Sequence, residues 1–140
     1  MASPMHIYFV RVYHEDTDSG GIVYYANYLR FAERARTEML RSVGLQHPSM
    51  IQNCGLAFVV RSCNAEYLKP AHLDDELKIC TGNIVLEAAS LWLSQSVHRL
   101  DDILVNMQLR LACVDRHGRP KRLSKILRQN LLKFQSKVSG

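Results

Sequence analysis

In the first third of the chain, the spacing of apolar residues changes from every second position to every third or fourth position. From His6 to Tyr13 they alternate, which predicts a strand with one face against a core. After a polar stretch, the apolar positions recur every three or four residues from Tyr28 to Val43, and this spacing predicts a long amphipathic helix. Asn27 is the expected N-cap, residues 24–26 can add a turn before it, and Gly44 is expected to end the helix.

The rest of the chain is typical of strands joined by short turns. Four segments have strand length: Ala57–Leu68, Glu76–Leu86, Ser90–Arg99 and Ile103–Val114. In the last one, every second residue from Ile103 to Cys113 is apolar, which predicts one buried face. A hairpin at Asp101-Asp102 and a short final strand over Arg119–Leu123 are expected. Ser124 is the expected cap of a terminal amphipathic helix.

One strand, a long helix and a run of strands predict an α+β fold in which a curved antiparallel sheet wraps around the helix. With 140 residues and no repeat or linker, one domain over residues 1–140 is expected. A content of 47% hydrophobic and 22% charged residues is ordinary for a soluble globular protein. Neither a signal-peptide pattern nor an apolar run near the ~20 residues of a bilayer span occurs. A cytoplasmic protein without an integral membrane segment is therefore expected.

Four cysteines, at positions 54, 63, 80 and 113, are widely spaced and form no C-x-x-C pair. This spacing argues against a structural zinc site or a thioredoxin-type motif. Cys63, Cys80 and Cys113 lie in apolar strand segments, where a free thiol behaves as a small core residue. Reduced core thiols in a reducing compartment, with no bound metal and no cofactor, are expected.

The net charge of +5 and the pI near 9.2 favour an anionic partner. Nucleic acid, a membrane surface and a phosphate-bearing small molecule all fit that charge. The chain lacks the aromatic-basic strand pattern of RNA-binding domains and any Cys/His finger, so no nucleic acid is expected. Five basic residues follow one another near the end of the chain, where a solvated face is the alternative to a phosphate site: Arg119, Lys121, Arg122, Lys125 and Arg128.

The loop from His14 to Gly21 holds the densest group of chemically active residue types, with Glu15, Asp16 and Asp18 within four positions. A polar turn that caps the helix would explain them. A metal site is a weaker explanation, because no histidine follows at ligand spacing and the terminal Glu of an EF-hand is absent. A third explanation is an acid held beside a helix N-terminus, whose N–H groups can stabilise an oxyanion during acyl transfer.

A family resemblance favours the third explanation. The pattern D-x-D-x-x-G-x-V-Y-Y over residues 16–25, continued by the helix to Leu40, closely resembles the 4-hydroxybenzoyl-CoA thioesterase family, and within it the acyl-CoA thioesterases associated with the Tol-Pal system. The similarity continues through residues 61–67 and the turn over 69–75, so it covers essentially the whole chain. It implies a hotdog fold in homodimers and often homotetramers, with active sites at the subunit interface.

The implied activity is hydrolysis of a short-chain or aromatic acyl-CoA to the free acid and CoA, with acyl carrier protein as a further candidate partner. The resemblance places the catalytic aspartate at Asp18 and makes Asp16 structural. It places the amide that polarises the thioester carbonyl at Tyr25. Some relatives carry a histidine at the position of Tyr25, whereas the aryl-CoA branch has tyrosine there, so the acyl preference stays open. His14, next to this loop, is expected to be an exposed bystander.

Further positions are implied for binding the substrate: Tyr24, Tyr28, Phe58 and Val60 for the acyl pocket, and Lys121 and Arg122 for the CoA phosphates, with Arg61 and Lys69 as weaker candidates. Glu33 is the rival to Asp18, because another hotdog class uses a glutamate on the central helix. A structural pairing of Glu33 with Arg34 or Arg36 is expected instead. A catalytically weak hotdog scaffold that binds acyl-CoA or acyl carrier protein is the alternative function.

Overall fold

The computed structural model describes residues 4–44 and 55–135. The sequence also predicts one helical turn after Pro48 and an exposed tail from Gln135 to Gly140. That turn, the thiol of Cys54 and residues 136–140 of the tail lie outside the described residues. In chain order the elements are strand β1 (Met5–Arg11), a 3-10 turn (His14–Asp16), helix α1 (Asn27–Ser42), strands β2 (Ala57–Tyr67), β3 (Glu76–Leu86), β4 (Ser90–Arg99) and β5 (Asp102–Val114), helix α2 (Lys125–Leu131) and a second 3-10 turn (Leu132–Phe134).

The five strands form one antiparallel sheet in the order β1-β3-β4-β5-β2, so that β1 and β2 are its edges. The predicted bounds of β3 and β4 are confirmed, and those of β2 and β5 are each displaced by one residue. Strand β1 ends before the predicted Tyr13, because Val12 leaves the sheet. The Val12 N–H donates to the Asp75 carbonyl at 2.9 Å, and the Val12 carbonyl accepts from the Asp74 N–H at 3.0 Å.

Helix α1 lies against the inner face of this sheet. Its apolar stripe is buried, and it packs with alternate residues of β3, β4 and β5 in one core cluster; on the helix the stripe comprises Tyr28, Phe31, Ala32, Ala35 and Met39. A helix with a buried stripe, covered by a sheet whose apolar positions alternate, is the expected α+β hotdog fold, and that prediction is confirmed. Within the described ranges, no helix combines the length and the apolar character needed to cross a bilayer.

The N-terminus of α1 differs from the prediction. Ala26 is the N-cap, and Asn27 is the first helical residue. The predicted extra turn is present, since the Asn27 N–H donates to the Tyr24 carbonyl at 2.8 Å, and this turn displaces Asn27 from the cap position. At the other end Gly44 has φ of +81°, a conformation that glycine adopts easily, and it ends the helix as predicted.

A bulge in the pairing of β4 with β5 changes which residues face the core. Val97 pairs with Val105, but the next pair is His98 with Ile103. Leu104 is therefore buried, and Ile103, which was predicted to face the core, is 41% exposed. The alternation predicted from Val105 to Cys113 is confirmed.

Two connections in the second half also depart from the predictions. The β4–β5 hairpin turns at Leu100, with φ of +53°, and Asp101, while Asp102 already pairs with Arg99 in the sheet. The prediction of a strand over residues 119–123 is wrong, because only one isolated bridge, between Val114 and Pro120, forms there. The expected cap of the terminal helix is confirmed. Ser124 Oγ accepts from the Leu127 N–H at 3.2 Å.

The cysteines do not all lie in the core. Cys113 is buried and Cys80 is half-buried, but Cys63 is exposed on the edge strand β2, so the expected core position is wrong for Cys63. The reason is that β2 has a neighbouring strand on one side only, and most of its residues are exposed on both faces.

A buried tyrosine connects the helix to the loop before β3. Tyr28 is 3% exposed, and its hydroxyl accepts a hydrogen bond of 2.9 Å from the N–H of the buried Ala71. Burial raises the pKa of Tyr28, so the hydroxyl is neutral under ordinary conditions.

Replacing Tyr28 by phenylalanine is expected to leave the Ala71 N–H buried without an acceptor. The free energy of unfolding in urea should fall by about 1–3 kcal/mol. Tyr8→Phe is the matched control, because the half-buried Tyr8 hydroxyl bonds to none of the described residues, and a change within about 0.5 kcal/mol is expected for it. Equal losses in the two variants would show that the Ala71 bond contributes nothing.

Candidate active site

The acidic loop is a tight hairpin with Asp18 at its tip. Thr17 and Val23 form an antiparallel bridge that closes it. Inside the bridge, the Asp18 N–H donates to the Ile22 carbonyl at 2.9 Å, and the Asp18 carbonyl accepts from the Gly21 N–H at 3.1 Å. Gly21 has φ of +79°, which the reversal requires and which side-chain-bearing residues rarely adopt. The backbone of Asp18 is therefore fixed on both sides.

The carboxylate of Asp18 is exposed and only partly engaged. Its Oδ1 accepts from the Gly20 N–H at 2.8 Å, an Asx-type contact that holds the side chain in one orientation. A Cβ at position 20 would lie 3.3 Å from that oxygen, so glycine suits this close approach. Oδ2 has no partner in the parts of the chain that the structure describes. Asp18 thus presents one anchored and one available oxygen.

Asp16 has the structural role that was expected of it. Its carboxylate accepts from the Tyr13 N–H at 2.9 Å. Its carbonyl accepts twice, from the Tyr24 N–H at 3.0 Å and from the Asn27 side-chain amide at 2.8 Å. One residue therefore ties the start of the loop to the start of α1.

The turn before α1 has unpaired donors beside this loop. The N–H groups of Tyr24 and Asn27 are bonded, but those of Tyr25 and Ala26 donate to no acceptor within residues 4–44 and 55–135. Free N–H groups at a helix start carry partial positive charge and attract an anion or a developing oxyanion. In the same ranges no three His, Cys, Asp or Glu side chains lie together as metal ligands would.

Two other aromatic rings lie close to the ring of Tyr25. Tyr24 and Tyr25 are both exposed, with ring centroids 4.8 Å apart, and a hydrogen bond to Tyr25 raises the pKa of Tyr24. A third ring, that of Tyr67, lies 6.1 Å from Tyr25, edge to face. Sequence reasoning assigned no role to Tyr67. It is the last residue of β2, and nothing local in the sequence places a strand end beside the start of a helix.

Tyr28, which was expected in the acyl pocket, lies in the core beneath these rings. Its ring contacts Phe31 and Tyr67, and its hydroxyl is bonded to Ala71. The turn from Tyr24 to Asn27 places Tyr28 on the buried side of the helix. At 3% exposure, its side chain has almost no surface for contact with a substrate.

A groove of about 770 Å³ runs between α1 and the edge strand β2. It extends along the helix from Leu29, one turn beyond the free N–H groups, to Leu40. Phe58 and Val60, the other two expected pocket residues, line its opposite wall on β2. Most of the side chains that line the groove are apolar.

Glu33 lies on the groove side of α1, but the expected pairing with Arg34 or Arg36 is wrong. In the described ranges its carboxylate forms no ion pair, because Arg36 instead donates to the buried Gln95 side chain at 2.8 Å. Gln95 in turn donates to the Ala32 carbonyl at 2.9 Å. Burial lowers the pKa of Arg36, while the charge of Glu33 acts in the opposite direction.

Two of the basic residues named above have partners within the described parts of the chain. Arg128 donates to the backbone carbonyls of Glu87 and Ala88, so it holds the β3–β4 turn. Lys69 pairs with Asp102 at 3.2 Å. Three of the residues expected to bind CoA have exposed side chains: Lys121 and Arg122 on the connection after β5, and Arg61 at a bulge in β2.

The basic connection and the acidic loop lie at opposite ends of β2. The connection touches the sheet where Pro120 meets Val114, and Val114 pairs with Ala57 at the start of β2. Tyr67, which contacts Tyr25, is at the other end. The eleven residues of β2 are ten steps of about 3.3 Å, which place the two ends about 33 Å apart. Within one chain, Asp18 and Arg122 are too far apart to belong to one compact pocket.

The hotdog fold of this chain presents an acid and unpaired N–H groups near the start of a helix. These groups suit acyl transfer, as in thioesterase-like proteins. The chain belongs to the thioesterase-like superfamily, which matches residues 12–131. Within it, the chain is 44% identical over 107 residues to the acyl-CoA thioester hydrolase YbgC of Escherichia coli, covering 76% of this chain and 79% of that protein. These matches confirm the predicted family.

Two further relatives agree with this assignment. The acyl-CoA thioesterase YbgC of Haemophilus influenzae is 42% identical over 106 residues, which cover 76% of this chain and 78% of that protein. The crystal structure of a probable thioesterase from Bartonella henselae superposes with a TM-score of 0.82 at 34% identity, over 86% of this chain and all of that chain (100%).

Asn27→Ala removes the side-chain amide that holds the Asp16 carbonyl. We expect the free energy of unfolding to fall by about 1 kcal/mol, the usual contribution of one such bond. Amide hydrogen exchange over residues 14–23 should become faster in the same variant. Asn106→Ala, which removes an exposed side-chain amide from the internal strand β5, is the control and should change neither measurement. Unaltered exchange in the Asn27 variant would mean that the loop is held without this bond.

Proposed function

We propose that this protein is an acyl-CoA thioesterase that hydrolyses the thioester to the free acid and CoA. The observation that carries the proposal is the Asp18 carboxylate, with one oxygen available, on a hairpin that leads directly into the unpaired N–H of Tyr25. The names of the Escherichia coli and Haemophilus influenzae relatives state the same activity for those proteins.

In the proposed reaction the thioester carbonyl oxygen accepts from the Tyr25 N–H. Asp18 takes a proton from the water that attacks the carbonyl carbon, or attacks that carbon itself to give an anhydride that water then opens. Negative charge develops on the carbonyl oxygen, and loss of such a donor costs about 2.7–4 kcal/mol of barrier. The carbon–sulfur bond breaks, the electron pair leaves on CoA sulfur, and that thiolate takes up a proton.

The groove beside α1 is the proposed acyl site. It begins one turn from the Tyr25 N–H, so an acyl chain whose carbonyl is bound there extends past Leu29 toward Phe58 and Val60. The exposed ring of Tyr24, beside Tyr25, is the remaining proposed contact for the acyl group. An apolar wall interrupted by charged residues, Glu33 and Arg36 among them, favours a short-chain or aromatic acyl group over a long alkyl chain.

We propose that the active unit is a homodimer in which β2 of one copy pairs with β2 of a second. Among the described residues, strand β2 has a neighbouring strand on one side only, and it exposes apolar residues, Val59, Val60 and Tyr67 among them; such edges are usually covered. Antiparallel pairing about a two-fold axis brings the start of one β2 beside the end of the other. The basic connection of the second copy then lies near Asp18 and Tyr25 of the first.

This arrangement brings the acidic loop of one copy close to the basic connection of the other, although the two ends of β2 are about 33 Å apart within one chain. Lys121 and Arg122 of the second copy, with Arg61 at the bulge, are the proposed contacts for the CoA phosphates, since cationic side chains suit phosphate. Each dimer then has two composite sites. The resemblance further implies that dimers pair into homotetramers.

The cellular setting is also proposed from the resemblance. Free Cys63, Cys80 and Cys113 support a reducing, cytoplasmic compartment. The likeness to Tol-Pal-associated thioesterases supports a role in envelope or lipid metabolism, with thioesters of acyl carrier protein as a second substrate source.

Asp18→Asn is expected to lower thioester hydrolysis at least roughly a hundredfold, because a base or nucleophile is lost while the Gly20 contact can persist. The measurement is kcat/KM over a panel of short, long and aromatic acyl-CoAs. Glu15→Gln removes another exposed carboxylate of the same loop and should retain wild-type rates. Full activity in Asp18→Asn together with a dead Glu33→Gln would transfer the role to Glu33.

Mixed dimers test the composite site. A chain with Asp18→Asn and a chain with Lys121→Ala and Arg122→Ala should each be impaired alone, the second through a raised KM for acyl-CoA. Co-expressed with different tags and purified through both, the heterodimer combines an intact Asp18 with the intact basic residues of the other chain at one site. Activity with wild-type KM should therefore return. Failure to recover it would place the basic residues and Asp18 of a working site in the same chain.

A further inference from the structure

Helix α1 places one cationic side chain partly inside the groove that is the proposed acyl site. Arg36 lines this groove and is half-buried, whereas Arg30 and Glu33, which are charged residues of the same wall, are exposed. An arginine side chain stays protonated in proteins, and burying its charge costs free energy unless an anion or hydrogen-bond acceptors compensate for it. The partners of Arg36 therefore decide whether its charge is available to a ligand.

A buried amide holds Arg36 in position. Arg36 Nη1 donates to Gln95 Oε1 at 2.8 Å. Gln95 is 1% exposed, and its Nε2 donates to the Ala32 carbonyl and to Thr81 Oγ1, each at 2.9 Å. Both N–H groups of the Gln95 amide are thus used, which leaves its oxygen as the acceptor for Arg36. Because Gln95 is neutral, this network orients the guanidinium group without compensating for its charge.

The remaining N–H donors of Arg36 are accessible from the groove. Within residues 4–44 and 55–135, the bond to Gln95 is its one hydrogen bond, and it forms no ion pair. In the same ranges, the one side-chain atom that is buried without a hydrogen-bond partner is His6 Nδ1, so the other nitrogens of Arg36 are not sealed in the core. Burial raises the pKa of the Cys63 thiol, and the charge of Arg36 opposes this shift from across the groove. The free donors therefore face the space between α1 and β2.

We propose that Arg36 is a specificity-determining residue that binds a carboxylate at the far end of the acyl group, so that the enzyme favours dicarboxylic acyl-CoAs over alkyl ones. This inference rests on the proposed function, because it needs the groove to hold the acyl group. A guanidinium group can present two parallel N–H donors to a carboxylate, and such charge-assisted bonds are among the strong hydrogen bonds of proteins. A half-buried position strengthens the attraction relative to that of an exposed pair.

The position of Arg36 sets the length of the preferred acyl group. The Gln95 amide bonds both Arg36 and the Ala32 carbonyl, so the guanidinium group lies near Ala32. Ala32 is seven residues beyond Tyr25, which is roughly 10 Å along the axis at about 1.5 Å per helical residue. An extended chain advances about 1.25 Å per carbon–carbon bond, so an acyl group of about eight carbons, with its carbonyl at the Tyr25 N–H, brings its terminal carboxylate to Arg36.

Glu33 is a carboxylate on the same wall, and it opposes the binding of a second one. Its side chain is exposed and forms no ion pair with the residues that the structure describes, so water and salt screen its charge. The half-buried Arg36 is screened less. Glu33→Gln should therefore increase the preference for a dicarboxylic acyl group, whereas a decrease would contradict attraction by Arg36 as its cause.

The test compares suberyl-CoA with octanoyl-CoA, which have the same number of acyl carbons and differ in the terminal carboxylate. The measured quantity is the preference ratio, which is kcat/KM for suberyl-CoA divided by kcat/KM for octanoyl-CoA, at neutral pH where the carboxylate is ionised. Wild type should give a ratio above one. Arg36→Met removes the donors but keeps an unbranched side chain, and it should lower the ratio about tenfold to a hundredfold, the factor that corresponds to a hydrogen bond between charged groups.

The matched control is Arg30→Met, which deletes the same charge from an exposed position on the same wall. Its preference ratio should stay at the wild-type value. A purely structural role of Arg36 would lower kcat/KM for both substrates alike and leave the ratio unmoved, so the ratio separates recognition from folding. If Arg36→Met does not fold, Arg36→Lys keeps the charge and loses the two-donor geometry, and it should still lower the ratio.

Different outcomes would count against the inference and against its foundation. A wild-type ratio below one, or a folded Arg36 variant with an unchanged ratio, overturns the role of Arg36. An equal fall of the ratio in Arg30→Met assigns the preference to the general charge of the groove, which also overturns it. Wild-type rates in Asp18→Asn overturn the proposed function instead. If Asp18→Asn is inactive on octanoyl-CoA while Arg36→Met keeps the wild-type ratio, hydrolysis at Asp18 stands and only the role of Arg36 is lost.

Discussion

Burial of the apolar stripe of α1 is the constraint on which the rest of the structure depends. A helix that exposes Phe31, Ala35 and Met39 is unstable in water, and the sheet is what covers that stripe. Once the sheet covers that stripe, the turn that precedes the helix, residues 24–26, stays largely outside the core. Within the described residues the N–H groups of Tyr25 and Ala26 in that turn are unpaired. The position of the candidate site is thus a consequence of how the core closes.

Asp16 converts that accessible turn into a defined geometry. Its carboxylate holds the incoming backbone at Tyr13, and its carbonyl holds both Tyr24 and Asn27. The remaining acid of the hairpin, Asp18, is thereby kept at the tip with one oxygen available. The two aspartates are chemically identical, and their different surroundings give them different roles. Asp16 uses its oxygens within the protein, and Asp18 keeps one for a ligand.

The edge strand β2 connects the candidate site to the proposed dimer. Its unpaired side is open to a second copy, and its last residue, Tyr67, touches the residue whose N–H is the proposed oxyanion donor. The strand also separates the acidic loop from the basic connection after β5. One element therefore determines why a single chain presents only part of the proposed site.

The sequence by itself determined the features that depend on near neighbours. Period and turn residues predicted α1 and the bounds of β3 and β4, and the D-x-D-x-x-G-x-V-Y-Y pattern with the helix after it indicated the acidic loop and the family. Only the tertiary structure decided features that depend on residues far apart along the chain. The β4–β5 bulge exposes Ile103, Arg36 bonds to Gln95 59 positions away instead of Glu33, and Tyr67 meets Tyr25. The spacing of hydrophobic residues indicates which face of a helix or strand is buried. It carries no information about which side chain from a distant part of the sequence contacts that face.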